Sequence, residues 1–253
     1  MVIGCAFPLA NYIQRHAQMN EDIFKSNGGE FITPPAQLQD KLRNIKAILF
    51  DWDGVFNSGE KGGLPSSFNE VDSMGINMLR FGYFMMLGHI PYTAIVTGET
   101  NQAGFKWAKR ERFDNVFYQV KNKVDLLPIL KREHNIEPDE VFFVFDDILD
   151  LSLAKQVGIR FLVNRKANPL FNAYCIKNGL CDYLTYSAGN QNAIREVTEV
   201  ALDALGIFDK TLDERILFNG AYKDFLDEKM LKVTKYLKSE DGGFIAKDFK
   251  QIT

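Results

Sequence analysis

With 253 residues, 46% of them hydrophobic and 25% charged, the chain has the size and composition of one or two ordinary globular domains, which excludes a disordered, collagen-like or low-complexity architecture. Its 30 basic side chains face 33 acidic ones, for a net charge of -3, so no overall positive field exists to hold nucleic acid or an anionic membrane. A single domain with decorated ends is the expectation.

Residues 1–10 contain no Lys or Arg and run into the polar stretch 11–20, which is not the layout of a secretory leader. No apolar run approaches the ~20 residues of a bilayer span, so a soluble, cytoplasmic protein is expected. Cys5, Cys175 and Cys181 are odd in number and match no metal spacing; reduced thiols explain them. Asn27-Gly28-Gly29 with Pro34-Pro35 marks an edge, after which the apolar run 47–50 predicts a strand. Residues 54–68, with Gly54, Gly59, Gly62, Gly63 and Pro65, predict a loop or small hairpin flap. Ile76, Leu79 and Tyr83 have helical spacing. The runs 92–96, 115–118, 141–145 and 160–163 predict further strands, apolar on both faces, as parallel strands covered by helices are. Ile194, Val197, Ala201 and Leu205 give the last helix of the alternation. A further helix is expected over 212–237, where Ile216, Leu217, Tyr222 and Phe225 stand among charges, and Asp241-Gly242-Gly243 marks a second edge. The fold class is α/β with a doubly wound, Rossmann-like parallel sheet. It divides into an N-terminal extension 1–45, a core 46–205 and a C-terminal helical extension 206–253.

Three apolar strands run directly into a polar group: Leu49-Phe50-Asp51, Ile95-Val96-Thr97 and Val144-Phe145-Asp146. Open parallel sheets bind ligands at the carboxyl ends of their strands, so Asp51, Thr97 and Asp146 should converge on one edge, joined by Asp53, Asp147 and Asp150. Carboxylates crowded together raise one another's pKa or require a counter-cation. Oxygen ligands without clustered His or Cys favour a hard ion, and Mg²⁺ fits best. Blander readings hold elsewhere. His16, His89 and His134 are scattered and read as structural or surface residues; the run Lys109-Arg110-Glu111-Arg112 reads as a solvated helix face. Trp52 reads as a side chain packed under the loop. Asp147 suits a helix N-terminus as well as a direct role. For Arg195, packing around Gly189 stands beside contact with an anionic substrate from a neighbouring subunit.

The order of these elements resembles the haloacid dehalogenase-like (HAD) superfamily of phosphotransferases. Asp51-Trp52-Asp53-Gly54-Val55 looks like its first motif, Val96-Thr97-Gly98 its second, Lys123 its third and Asp146-Asp147-x-x-Asp150 its fourth. Within the superfamily the chain is most similar to the capless 3-deoxy-D-manno-octulosonate 8-phosphate phosphatases, through Phe68-Asn69, Gly75-Ile76 before a helix, Asn122-Lys123 and residues 189–197. The resemblance spans residues 46–205. It departs at Phe145, where Gly is usual, at Glu99, where Arg is usual, and at Asn57-Ser58 and Val71-Asp72-Ser73, where Thr-Asp and Arg-Asp-Gly are usual.

The resemblance implies a role for each residue. Asp51 would attack phosphorus to form an aspartyl phosphate, and Asp53 would protonate the leaving oxygen and later deprotonate water. Thr97, Gly98 and Lys123 would hold the phosphoryl oxygens. Asp146 would complete a magnesium shell with an Asp51 oxygen and the Asp53 carbonyl, while Asp150 would orient Lys123 or a metal-bound water. The implied function is Mg²⁺-dependent hydrolysis of a small phosphorylated metabolite, a sugar or sugar-acid phosphate. Alternatives are a non-catalytic relative that binds a phosphorylated ligand or serves assembly, and a phosphomutase-type phosphotransferase. The gaps Asp53 to Thr97 and Lys123 to Asp146 are too short for a cap domain. The flap, the terminal extensions or a neighbouring subunit must therefore cover the site. The capless group assembles as tetramers, so the resemblance implies a homo-oligomer.

Overall fold

A computed structural model describes residues 19–60, 68–241 and 243–252. Cys5, His16, Gly242 and residues 61–67 of the expected flap lie outside them. Among the described residues nine strands form one sheet: β1 (Glu30–Phe31), β2 (Ala47–Phe50), β3 (Tyr92–Val96), β4 (Asn115–Tyr118), β5 (Val141–Phe145), β6 (Ile159–Leu162), β7 (Tyr183–Leu184), β8 (Lys235–Glu240) and β9 (Gly243–Lys247). Their order is β1-β7-β6-β5-β2-β3-β4-β8-β9. The strands β7 through β8 run parallel, and the edge strands β1 and β9 are antiparallel to their neighbours.

Successive side chains of a strand point to opposite faces, and both faces here are covered. Ile48, Phe50, Val144 and Phe161 share one core with Ile76 and Leu79 of α3 (Glu70–Leu87) and Val197 and Ala201 of α8 (Ala193–Ala204). Ala47, Leu49, Phe143 and Phe145 share the other with Leu130 of α5 (Leu127–His134), Leu153 of α6 (Leu151–Ala154) and Cys175 of α7 (Pro169–Lys177). The result is the expected doubly wound α/β sandwich. Helix α3 begins at Glu70, so Gly75-Ile76 lie within it and not before it, because Asn69 Oδ1 accepts the Asp72 N–H at 2.8 Å and caps the helix there. Gly75 lies against Arg195 and Thr198 of α8.

The terminal segments differ most from expectation. The single helix expected over 212–237 is two helices, α9 (Phe208–Leu217) and α10 (Gly220–Leu231), followed by β8. Phe218 takes a left-handed φ of 49° and breaks them apart. Strand β8 then lies parallel to β4, with Val116 opposite Tyr236. The segment after Leu205 is therefore not helical throughout: β8 and β9 extend the central sheet ahead of a short helix at Phe249–Ile252. At the opposite edge, α1 (Glu21–Ser26), β1 and α2 (Pro35–Arg43) precede the core. Asp182 fastens this segment: it accepts from Thr33 Oγ1 at 2.6 Å, Lys41 Nζ at 2.7 Å and Arg160 Nε at 2.8 Å.

Candidate active site

The register of β5, β2 and β3 brings three strand ends level, with Phe50 opposite both Val144 and Ile95. Asp51 and Asp146 therefore leave adjacent strands on the same edge, and the Asp51 N–H donates to Val144 O at 2.9 Å. Thr97 follows β3, its hydroxyl accepting from the Glu99 N–H at 3.3 Å, and Gly98 is exposed at the mouth. Lys123 opens a 3-10 turn after β4, where Nζ lies 2.6 Å from Asp51 Oδ1 and 2.5 Å from Asp150 Oδ1. All three groups are buried. The other Asp150 oxygen accepts from the N–H groups of Asp146 at 3.4 Å and Asp147 at 3.1 Å. Asp150 is thus a buried brace between Lys123 and the end of β5. Asp147 is exposed and accepts from the Ile148 N–H at 2.7 Å, the terminal-capping role weighed for it.

Burial, more than any neighbour, raises the Asp51 carboxyl to about 6, against the opposing pull of Lys123. Burial, with the charges of Asp51 and Asp150, pushes Asp146 up to about 9 despite Arg165 beside it. Burial alone would lower Lys123, but Asp150 and Asp51 outweigh it and hold the ammonium's pKa up. A carboxylate cluster of this kind is short of positive charge.

The residues fit a hard divalent cation. Carboxylate oxygens of Asp51, Asp146 and Asp150 lie within 4.8 Å of one another, and both Asp146 oxygens are buried without a hydrogen-bond partner. Asp150 is already engaged through both oxygens, which leaves Asp51 and Asp146 as the carboxylates with capacity to spare. Asp53 is half-buried on the turn after β2, with Asn101 Nδ2 3.3 Å from its Oδ1. That turn is built by Gly54 at φ +90° and by Asn57, whose Oδ1 accepts the Gly59 N–H at 2.6 Å. Trp52 is fully buried and stacks on Phe56 at 4.9 Å, so it packs beneath the loop as expected.

Several positions that depart from the family pattern are structural. Phe145 stacks on Phe143 at 5.6 Å, on the sheet face opposite Phe50. Asp72 Oδ1 accepts the Arg195 N–H at 3.0 Å, and Ser73 Oγ accepts from Trp107 Nε1 at 2.8 Å, so both brace the helices beside the site. Arg195 also pairs with Glu199 at 2.7 Å. His134 lies against the Tyr92 ring, and His89 is exposed. Sequence reasoning missed Asn101 and Arg165, and it noted Asn57 only as a departure from the family pattern, not as a builder of the turn after β2. Arg165 Nε stands 2.6 Å from Asp146 Oδ2. A signal for it existed, since 159–163 is another apolar run that ends in polar residues, Asn164 and Arg165.

No protein-family model matches the chain. It is 27% identical over 181 residues to the 3-deoxy-D-manno-octulosonate 8-phosphate phosphatase KdsC of Salmonella typhi, covering 70% of this chain and 89% of the relative. With the KdsC of Escherichia coli it shares 27% over 186 residues, 72% of this chain and 92% of the relative. A probable YrbI family phosphatase from Pseudomonas syringae superposes with a TM-score of 0.58 at 26% identity, covering 72% of this chain and 98% of that one. The Moraxella catarrhalis 3-deoxy-D-manno-octulosonate 8-phosphate phosphatase, solved with magnesium, phosphate and KDO, has a TM-score of 0.58 over 71% of this chain and 98% of that one; at 22% identity it speaks to the fold alone. The resemblance drawn from the four motifs is thus the one the comparisons return: the chain is similar in sequence to the KdsC phosphatases and shares the fold of the YrbI family phosphatase.

Proposed function

We propose that the protein is a cytoplasmic, magnesium-dependent phosphatase that hydrolyses a small sugar or sugar-acid phosphate through an aspartyl phosphate on Asp51. The observation that carries this reading is the junction of Lys123 with Asp51 and Asp150, 2.6 and 2.5 Å away, beside the buried Asp146 carboxylate, whose oxygens accept no hydrogen bond. The KdsC relatives, phosphatases of 3-deoxy-D-manno-octulosonate 8-phosphate by name, support it and suggest the sugar-acid phosphate class. An Asp51 oxygen attacks phosphorus, the ester bond breaks, and Asp53 gives its proton to the departing alkoxide. Asp53 then takes a proton from water, which attacks the phosphorus of the aspartyl phosphate, releasing phosphate and restoring Asp51. Lys123 fixes the attacking carboxylate, while the Thr97 hydroxyl and Gly98 N–H donate to phosphoryl oxygens. A magnesium ion held by Asp51, Asp146 and the Asp53 carbonyl would supply the positive charge that brings a phosphate dianion to this acidic edge.

No separate cap domain covers this edge among the described residues. The homo-oligomer proposed with this reading would let a second copy limit water there; exposed Ile148, Leu149 and Leu170 beside the site support such a cover. The test is phosphate release over a panel of sugar and sugar-acid phosphates, with Mg²⁺ and with excess chelator. Release that needs Mg²⁺ is expected. Release undiminished in chelator contradicts the metal role, and an isomeric phosphate ester in place of inorganic phosphate would assign a mutase.

A further inference from the structure

Arg165 lies on the loop between β6 and α7, and none of the four motifs includes it. Its Nε is 2.6 Å from Asp146 Oδ2, with the arginine side chain 31% exposed and the aspartate 1%. The guanidinium lies over the turn after β2. A methyl group built on Gly54 would collide with Arg165 Nη2 and Asp146 Oδ2, and one built on Gly59 would stand 2.9 Å from the same Nη2. Glycine at both places makes the cradle in which the guanidinium sits.

The charge arrangement gives this contact a purpose. Lys123 is committed to Asp51 and Asp150. Asp146 therefore has Arg165 as its ion-pair partner among the described residues. The contact is electrostatic: neither Asp146 oxygen receives an aligned hydrogen bond. The carboxylate thus keeps lone pairs for another cation, and a side chain one-third exposed has solvent to move into. Resting on the reading of this cluster as a divalent-ion site, we propose that Arg165 is a resident counter-cation, a positioning residue that balances Asp146 in the metal-free protein and competes with the divalent ion for that carboxylate. The site's affinity for metal is then set by the arginine as well as by the ligands. A guanidinium within a few ångströms of a divalent ion repels it, while loss of the guanidinium leaves the buried Asp146 without its counter-cation when metal is absent, so that it stays charged and uncompensated or must take up a proton.

The experiment uses the full chain stripped of metal, as wild type, Arg165→Gln and Arg165→Lys. Calorimetric titration with MgCl₂ and thermal melting with and without MgCl₂ are the readouts. Arg165→Gln should bind Mg²⁺ on the order of 10-fold more tightly. Its metal-free form should melt about 4 to 8 °C lower, a gap that saturating Mg²⁺ closes. Arg165→Lys, which keeps the charge, should stay nearer the wild type. Unchanged or weaker Mg²⁺ binding by Arg165→Gln, while the wild type binds normally, overturns the proposal alone. Absence of Mg²⁺ binding by all three proteins overturns the proposal together with the metal reading beneath it, so the two failures are distinguishable.

Discussion

Lys123 is the residue on which most of the buried charge depends, because one ammonium serves two carboxylates 2.6 and 2.5 Å away. Replacing it by Met leaves Asp51 and Asp150 facing each other in a low-dielectric site. The expected cost is about 3 to 5 kcal/mol of unfolding free energy, less whatever protonation of the pair recovers, together with loss of turnover. Urea unfolding at pH 7 checks it, and a Lys123→Met protein as stable as the wild type would show that the three groups do not act as a charge-balanced unit. Asp53→Asn should keep the fold and slow turnover by ~10²- to 10⁴-fold, measured as kcat at saturating substrate, since only its proton transfer is lost. Asp51, Thr97 and Asp146 were legible in the sequence because each follows an apolar strand and strand ends meet on one edge, while Lys123 and the role of Asp150 were reached through the family resemblance. Arg165, Asn101 and the turn-building role of Asn57 were not. Their roles depend on how far side chains reach across loops, as Asn101 reaches Asp53 at 3.3 Å, and no sequence period encodes that reach.

At the scale of elements, two contacts between distant segments matter, the first of them at the site. A methyl group on Gly189, just before α8, would collide with the carbonyl oxygens of Gly54 and Asn57 on the turn that carries Asp53. Neither carbonyl can move without shifting that turn. Gly189→Ala should therefore lower kcat by up to about 10²-fold with little change in circular dichroism; unchanged kcat would mean that the turn tolerates displacement. The second contact is Asp182, whose five donors on Thr33, Lys41 and Arg160 fasten the N-terminal segment to the sheet. Burial alone would raise its carboxyl, but Arg160, with Lys41 and Thr33, holds it below the ordinary 3.8. A folded-state pKa below the unfolded one gives stability that is present above the unfolded value and is lost as pH falls through the folded one. Asp182→Asn should thus cost about 2 to 4 kcal/mol at pH 7, and the gap from wild type should narrow as the pH drops below about 4. A gap of constant size across that range would contradict the charged role. The five central strands were readable because they are short apolar runs between turn residues. Strand β8 was not: Lys-Tyr-Leu-Lys-Ser-Glu carries its charges at spacings that a surface helix also allows, and its pairing with β4 decides the matter. The two-residue strands β1 and β7 are too short to carry a period at all.

For the whole molecule, the terminal segments complete the fold and do not hang from it. Strand β8 covers the edge of β4, and Phe225 of α10 meets Phe81 and Phe84 of α3 at 5.4 and 5.8 Å. Truncation after Leu205 would open a strand edge and uncover those aromatic rings. The truncated chain should aggregate or melt well below the full chain, as light scattering during a thermal ramp would report. A soluble monomer with the full chain's melting temperature would return the segment to the status of an appendage. None of the helices among the described residues is long and apolar enough to cross a membrane.

The central claim is that Asp51 takes the phosphoryl group while Asp53 controls its release. Its most direct test is mass spectrometry of the Asp53→Asn protein, acid-quenched during turnover of a sugar-acid phosphate with Mg²⁺ and digested. A phosphoryl adduct on the peptide that contains Asp51, absent when Asp51 is also changed to Asn, is the predicted result; phosphate release by the Asp51→Asn protein at the wild-type rate, with no adduct at that position, would contradict it.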